Sequence, residues 1–328
     1  MPLTAVIGTG SWGTAASVLV ARNGGMAVLY GRDAGKVATI ARSRSHPQFP
    51  GTILAEAISV TADAAAMADA DLVLWAVPTQ HTRAQARLLA ASIHPSAMVV
   101  SLSKGLEQGT LARVTDILAE ELPGRAFGCL SGPSHATEVV AGLPVCLVVA
   151  GSTEVRERTQ TRLHAARSRL YTSADMLGVE LGGALKNVVA IAAAICEGLG
   201  FGDNTKAAMI TRGLAEMRRL GRAMGANDAT FSGMAGVGDL LTTCYSPHGR
   251  NRALGLAIAR GENPLEILKR LHTVAEGAWT SRAAVELGRR HHVELPIASQ
   301  VASVIWDAKP VPQAMEQLLA RAPKEEDA

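Results

Sequence analysis

Aromatic residues are scarce: 4 Trp, 3 Tyr and 4 Phe among 328 residues. A core for a chain of this length must therefore consist mainly of Ala, Leu and Val, which favours closely packed helices over a β-sandwich. Cysteine is equally scarce, and Cys129, Cys146, Cys196 and Cys244 form no C-x-x-C pair. They read as small buried hydrophobes in a reducing compartment, not as a disulfide frame. The 9 histidines show no H-E-x-x-H or other ligand spacing, and His291 and His292, as neighbours on a helix, point apart. No metal site is expected. No uninterrupted apolar run of ~18 residues occurs. The longest apolar region, Leu181 to Ile195, is broken by Lys186 and Asn187. Neither a membrane span nor a charged, apolar leader is expected, and the chain reads as cytoplasmic. Net charge is only +3, with Lys and Arg scattered rather than striped, so nucleic acid is not an expected partner.

What the chain does have is glycine in one telling place. Ala5-Val6-Ile7 reads as a strand, Gly8, Gly10 and Gly13 follow at G-x-G-x-x-G spacing, and an alanine-rich helical stretch comes next. The first glycine permits a tight turn, the second lets a pyrophosphate approach the backbone, and the third lets helix and strand pack closely. The helix N-terminus then presents N–H groups and a positive dipole end to phosphate. This context makes the motif a dinucleotide site. At the end of the next strand, Ala27 to Tyr30, stands Gly31-Arg32-Asp33. An acidic residue here suits the ribose hydroxyl of NAD and an arginine suits the 2′-phosphate of NADP. Arg32 therefore points to NADP(H), with NAD(H) possible, and Asp33 reads as a helix cap.

Further strands are expected at 58–60, 71–78, 98–102, 127–130, 143–150 and 170–172, with helices between several of them. That rhythm predicts an α/β, doubly wound, Rossmann-like parallel sheet over residues 1–172. From residue 173 to 328 strand runs nearly disappear and helical stretches take over. An all-α domain carrying substrate chemistry is expected there.

Ligands in such sheets bind outside the carboxyl ends of strands. Lys104, in Ser103-Lys104-Gly105, and the loop Ser131-Gly132-Pro133-Ser134 occupy such ends. Lys186 stands out because its helical neighbours are Gly182, Gly183, Val189, Ala190 and Ala193. A lysine on that small apolar surface is desolvated, which lowers its pKa and suits it to acid–base work. Asp239 follows Gly236-Val237-Gly238 and is placed either to orient a lysine or substrate hydroxyl or to cap a helix. Gly249-Arg250-Asn251-Arg252 puts donors at a helix start, an arrangement suited to a phosphate monoester.

Taken together, Gly8-Thr9-Gly10-Ser11-Trp12-Gly13-Thr14-Ala15, Ser103-Lys104-Gly105-Leu106-Glu107, Ser131-Gly132-Pro133-Ser134, Ala184 to Ala190, Gly202-Asp203-Asn204-Thr205-Lys206-Ala207-Ala208 and Gly249 to Arg252 resemble, in order, the bacterial NAD(P)-dependent glycerol-3-phosphate dehydrogenases. The resemblance runs from residue 4 to about 310. It implies interconversion of dihydroxyacetone phosphate and sn-glycerol 3-phosphate for phospholipid synthesis. It implies Lys186 as proton donor and acceptor, and Lys104, Gly132, Ser134, Asp239, Gly249, Arg250 and Asn251 around the phosphorylated triose. It implies Gly8, Gly10, Ser11, Trp12, Gly13, Arg32, Lys104, Ala136, Arg250, Val274 and Glu276 around the cofactor, and a homodimer. Two positions depart from the family: it often has Ser at Gly249, and commonly Thr and an aromatic residue at Ser134-His135. A related β-hydroxyacid or sugar-acid dehydrogenase is the alternative enzyme, and a dinucleotide-binding regulator without turnover the alternative of another class.

Overall fold

The computed structural model describes residues 2–247, 249–270, 275–323 and 325. The chain forms two compact units, one comprising Met1–Gly183 and Ala226–Asp239, the other Ala184–Gly225 and Leu240–Ala328.

The first unit is built on an eight-stranded sheet. Its strands are β1 (Leu3–Ile7), β2 (Met26–Tyr30), β3 (Ile58–Thr61), β4 (Leu72–Trp75), β5 (Met98–Ser101), β6 (Phe127–Ser131), β7 (Val145–Gly151) and β8 (Ser168–Ser173). They lie in the order β3-β2-β1-β4-β5-β6-β7-β8. The first six are parallel, β7 runs antiparallel to β6, and β8 is parallel to β7. Strands β1 and β4 are buried on both sides, which explains their unbroken apolar runs. Side chains alternate between two apolar clusters: Val6, Leu29, Leu74 and Val100 enter one, Ile7, Val28, Trp75 and Val99 the other.

Helices α1 (Ser11–Arg22), α2 (Ala34–Ser43), α3 (Thr79–Leu89), α4 (Val114–Glu121), α5 (Ala136–Ala141) and α6 (Thr153–Leu163) connect the strands. Strand order reverses between β1 and β4, the switch point where such sheets bind ligands. Helix α1 follows β1 there.

Helix α7 (Met176–Gly198) is the longest element. By length and composition it passes for a membrane span, but its apolar window is 100% buried, so it is a core helix. The division between units falls inside α7, later than the change of composition at residue 173 suggests. The physical reason is packing. Val179 joins Cys129, Val148, Ala150 and Ala235 in an apolar cluster on the sheet unit. The Asp175 carboxylate accepts from Gly178 N at 2.9 Å, Asn227 N at 2.9 Å and the Thr230 hydroxyl at 2.6 Å. These bonds tie the first turn of α7 to the segment that returns at Ala226.

The second unit is helical: the remainder of α7, then α8 (Asp203–Ala223), α9 (Asp239–Tyr245) from Leu240 onward, α10 (Arg250–Ala259), α11 (Pro264–Arg270), α12 (Glu276–Arg290), α13 (Pro296–Trp306) and α14 (Val311–Leu319). Helix α7 is its axis. A Cβ on Gly255 of α10 would stand 2.5 Å from the Ile191 carbonyl, and one on Gly277 of α12 would stand 2.5 Å from the Asn187 carbonyl. Glycine alone permits those approaches, and they bring the starts of α10 and α12 beside Lys186-Asn187.

Candidate active site

The glycine loop is shaped for a ligand. Gly8 has φ +118°, and a Cβ there would lie 2.5 Å from the Ala76 carbonyl. A Cβ on Gly13 would lie 1.9 Å from the Gly8 carbonyl, so α1 packs directly on the turn. Gly10 differs. It has φ −78° and ψ 176°, open to any residue, and a Cβ there would meet nothing within 4 Å. The protein does not require glycine at this position; the empty space beside it does. Gly10 caps α1 without a side-chain hydrogen bond, and the first turn holds no acidic residue. The leading N–H groups of α1 thus face a cradle suited to pyrophosphate. Ser11 and Trp12 stand half-buried at its rim, and Trp12 also packs against the apolar cluster beneath.

Arg32 is exposed one residue past β2 and Gly31. Asp33 is the cap foreseen: its carboxylate accepts from Lys36 N at 2.9 Å. That carboxylate is engaged at the helix start. Ala136 opens α5 and packs, half-buried, on the same cluster as Trp12.

The sheet unit also assembles a polar group at strand ends. Lys104 Nζ donates to Asp239 Oδ2 at 2.7 Å and to the Gly132 carbonyl at 3.2 Å. The Ser131 hydroxyl donates to the same Asp239 oxygen at 3.3 Å, and Ser134 Oγ donates to the Gly132 carbonyl at 2.8 Å. Asp239 is only 2% exposed, so its charge needs these partners. It begins α9 directly after Met234–Gly238, a turn kinked at Gly236, whose φ −97° and ψ −106° are not helical. The Lys104 loop is clamped from behind by α3. Gln80 donates to the Leu106 carbonyl at 2.8 Å and accepts from Gln108 N at 3.0 Å, while Arg83 binds the Glu107 carboxylate at 2.8 Å.

In the helical unit, Lys186 is 5% exposed and its Nζ donates to Thr243 Oγ1 at 2.7 Å. Asn187, next along α7, accepts from Asn251 Nδ2 at 2.8 Å, and Asn251 Oδ1 accepts from Gly277 N at 3.1 Å. The Asn251 side chain therefore joins α7, α10 and α12. Gly249 caps α10 without a side-chain hydrogen bond. Arg250 is exposed by area, yet loss of hydration beside the protein holds its guanidinium below the ordinary arginine range, with Glu276 opposing that shift. Glu276 is the first residue of α12. Val274 lies outside the described residues. Burial pushes the Cys244 thiol up to about 12 against the opposing charges of Lys186 and Lys206, so it is no nucleophile.

Thr243 and Asn187 were not singled out by sequence, and Ser131 only as part of its loop. One signal was present: Asp239 and Thr243 are spaced i, i+4, which puts both on one face of α9.

A glycine-rich loop at the switch point of a doubly wound sheet, followed in the chain by a helical unit, is the layout of a nicotinamide-dependent dehydrogenase. Comparison with known proteins narrows the class. Residues 4–157 match the model for the NAD-dependent glycerol-3-phosphate dehydrogenase N-terminus and residues 175–316 that for its C-terminus. The chain is 41% identical to glycerol-3-phosphate dehydrogenase [NAD(P)+] of Desulfitobacterium hafniense, with 99% of this chain and 93% of that protein covered. It is 43% identical to a second such enzyme of Salinibacter ruber, over 98% and 95%. The crystal structure of glycerol-3-phosphate dehydrogenase from Coxiella burnetii superposes with TM-score 0.93 at 32% identity, covering 98% of this chain and 99% of that one. The chain belongs to the NAD-dependent glycerol-3-phosphate dehydrogenase family. A ketopantoate reductase from Ralstonia eutropha, at 18% identity and TM-score 0.62, shares the fold.

Proposed function

We propose that Lys186 is the acid and base of a reaction in which this chain, like its family, interconverts dihydroxyacetone phosphate and sn-glycerol 3-phosphate with NAD(P)H. The observation that carries the assignment is a lysine buried on an apolar helix with its ammonium held by the Thr243 hydroxyl. Bound NADPH or NADH supplies the hydride that adds to the ketone carbon. As charge develops on the ketone oxygen, the Lys186 ammonium stabilises it and then donates a proton, leaving a neutral amine and the secondary alcohol. In the reverse direction the amine accepts that proton. Thr243 fixes the direction of Nζ, and Lys104, aligned by Asp239, adds a second positive charge for the substrate.

Arg250 and the N–H groups at the start of α10 bind the phosphate. Holding the substrate at a point remote from the reacting carbon supplies orientation. Gly132 and Ser134 shape the Lys104 side of the substrate. On the cofactor side, Gly8, Gly10, Ser11, Trp12 and Gly13 hold the pyrophosphate region, and Arg32 takes the 2′-phosphate. That role for Arg32 makes NADPH the preferred cofactor, because Asp33 is engaged as a helix cap and not held out for a ribose hydroxyl. Lys104, Ala136, Arg250, Val274 and Glu276 complete the cofactor set by family likeness. The same likeness carries a cytoplasmic homodimer supplying the phospholipid backbone.

The test is oxidation of NADPH and NADH with dihydroxyacetone phosphate beside unphosphorylated dihydroxyacetone. Turnover of the phosphorylated ketone, with kcat/KM far above the unphosphorylated one, is expected. Equal rates with both, or turnover of hydroxyacids alone, would sink the reading. NADPH binding without oxidation by any phosphorylated ketone would select the regulator.

A further inference from the structure

His46 lies well beyond the glycine loop in sequence, yet its side chain reaches that loop. It is 3% exposed, and Nε2 is 3.1 Å from the Thr9 carbonyl oxygen. Its other ring nitrogen, Nδ1, accepts the Gln48 backbone N–H at 3.1 Å. These two bonds fix the tautomer. A nitrogen that accepts carries no proton, so the proton is on Nε2, and Nε2–H donates to Thr9. Phe49 steadies the ring, with centroids 5.2 Å apart and planes at 38°. Burial lowers the histidine pKa, as does the charge of Lys36, against the bond to Thr9; the neutral ring that this geometry needs is therefore the form present at neutral pH.

The bond has a consequence one atom further on. Thr9 C=O and Gly10 N–H belong to one planar trans peptide and point in opposite directions. Thr9 is buried and Gly10 is exposed. Holding the carbonyl inward therefore aims the Gly10 N–H outward, into the cradle where a Cβ would meet nothing within 4 Å. With that peptide turned over, a carbonyl oxygen would face an anionic ligand.

We propose that His46 is a positioning residue for the dinucleotide, whose Nε2–H locks the Thr9–Gly10 peptide with its N–H directed at the pyrophosphate. The proposal rests on the reading of the glycine loop as the dinucleotide site.

Two substitutions separate its parts. His46→Asn keeps an acceptor near Nδ1 for Gln48 and loses the donor to Thr9. His46→Gln places an amide N–H near Nε2 and keeps that donor. Dissociation constants for NADPH, with KM for both substrates and kcat, are measured on the folded full-length variants, whose melting curves are recorded alongside. A net hydrogen bond is worth about 1 kcal/mol, so the Asn variant is expected to bind NADPH three- to tenfold more weakly, on the order of that energy. Its kcat at saturating NADPH and its KM for dihydroxyacetone phosphate stay near wild type, and His46→Gln recovers most of the affinity. Wild-type NADPH affinity in the Asn variant would overturn the proposal. So would equal losses in both variants, or an equal rise in the two KM values, either of which marks general loosening. Gly10→Val tests the underlying reading by itself: if it binds NADPH as wild type does, the loop is not the dinucleotide site.

Discussion

The glycine loop of the sheet unit and the lysine helix of the helical unit present opposite kinds of chemistry. At the loop the working groups are backbone N–H donors, and a side chain is an obstruction: Gly10 is surrounded by room that the fold itself does not use. On α7 the proposed working group is one side chain, and the backbone is closed within the helix; Lys186 interrupts a buried apolar surface and is held there by Thr243. A backbone-built site should fail when atoms are added and a side-chain-built site when atoms are removed.

The largest expected effect is on the side-chain side. On the proposed assignment, Lys186→Ala removes both the proton carrier and the charge opposite the developing alkoxide, and should lower kcat by about a thousandfold or more. NADPH affinity in a fluorescence titration should hardly change. Retained turnover would break the contrast at its centre.

Next is the added atom. Gly10→Val should melt with wild-type behaviour, since its φ and ψ suit any residue, yet lose dinucleotide affinity by about a hundredfold, the order of one excluded charged hydrogen-bond set. Gly13→Val places carbon 1.9 Å from the Gly8 carbonyl and should lower the melting temperature as well. Equal melting temperatures for the two variants would remove the distinction between ligand space and packing space.

A smaller effect concerns the helical unit alone. Glu216 is buried and accepts from Ile297 N at 2.6 Å and Ala298 N at 3.1 Å, so it caps α13 from α8. Burial raises its carboxyl to about 7 despite those bonds. Its protonated form is the stable one in the folded chain, so its contribution is fully present below the unfolded carboxyl value of about 4.5 and is lost as pH rises through about 7. Stability measured by denaturant should fall by about 3 kcal/mol across that window from this group. Glu216→Gln should flatten the slope. A slope unchanged by that substitution would mean the carboxylate is charged and satisfied throughout.

The smallest effect sharpens the loop side. Arg32 is exposed, so its attraction to a 2′-phosphate is partly screened, and Arg32→Ala should reduce the ratio of kcat/KM for NADPH over NADH by about tenfold. An unchanged ratio would remove Arg32 from cofactor choice.

Much of this was legible in residues. The glycine spacing announced the loop because Gly8 and Gly13 answer local steric demands, while Gly10 leaves open space beside the helix start. Lys186 announced itself because a charge amid Gly, Val and Ala at helical spacing is out of place. Asp33 was readable as a cap from its position before a helix. Asp239 was readable as a residue that orients a lysine, but which lysine was not: its partner Lys104 lies 135 residues away, and no local pattern connects them. Asn251 was expected to face the phosphate, whereas its side-chain atoms bond to Asn187 and Gly277. Gly236 and Gly238 read as a tight backbone before Asp239, but the non-helical kink at Gly236 itself was not legible.

The sequence by itself determined the elements and the reactive types, since strand, turn and helix propensities and a misplaced charge are local properties. Only the tertiary structure decided which atoms meet. It turned α7 into the axis of the helical unit through Gly255 and Gly277, brought Thr243 to Lys186 and Asp239 to Lys104, and set a neutral imidazole behind Thr9. The reason is physical: hydrogen bonds between distant segments depend on ångström-scale approach of packed elements, and that approach is a property of the whole core.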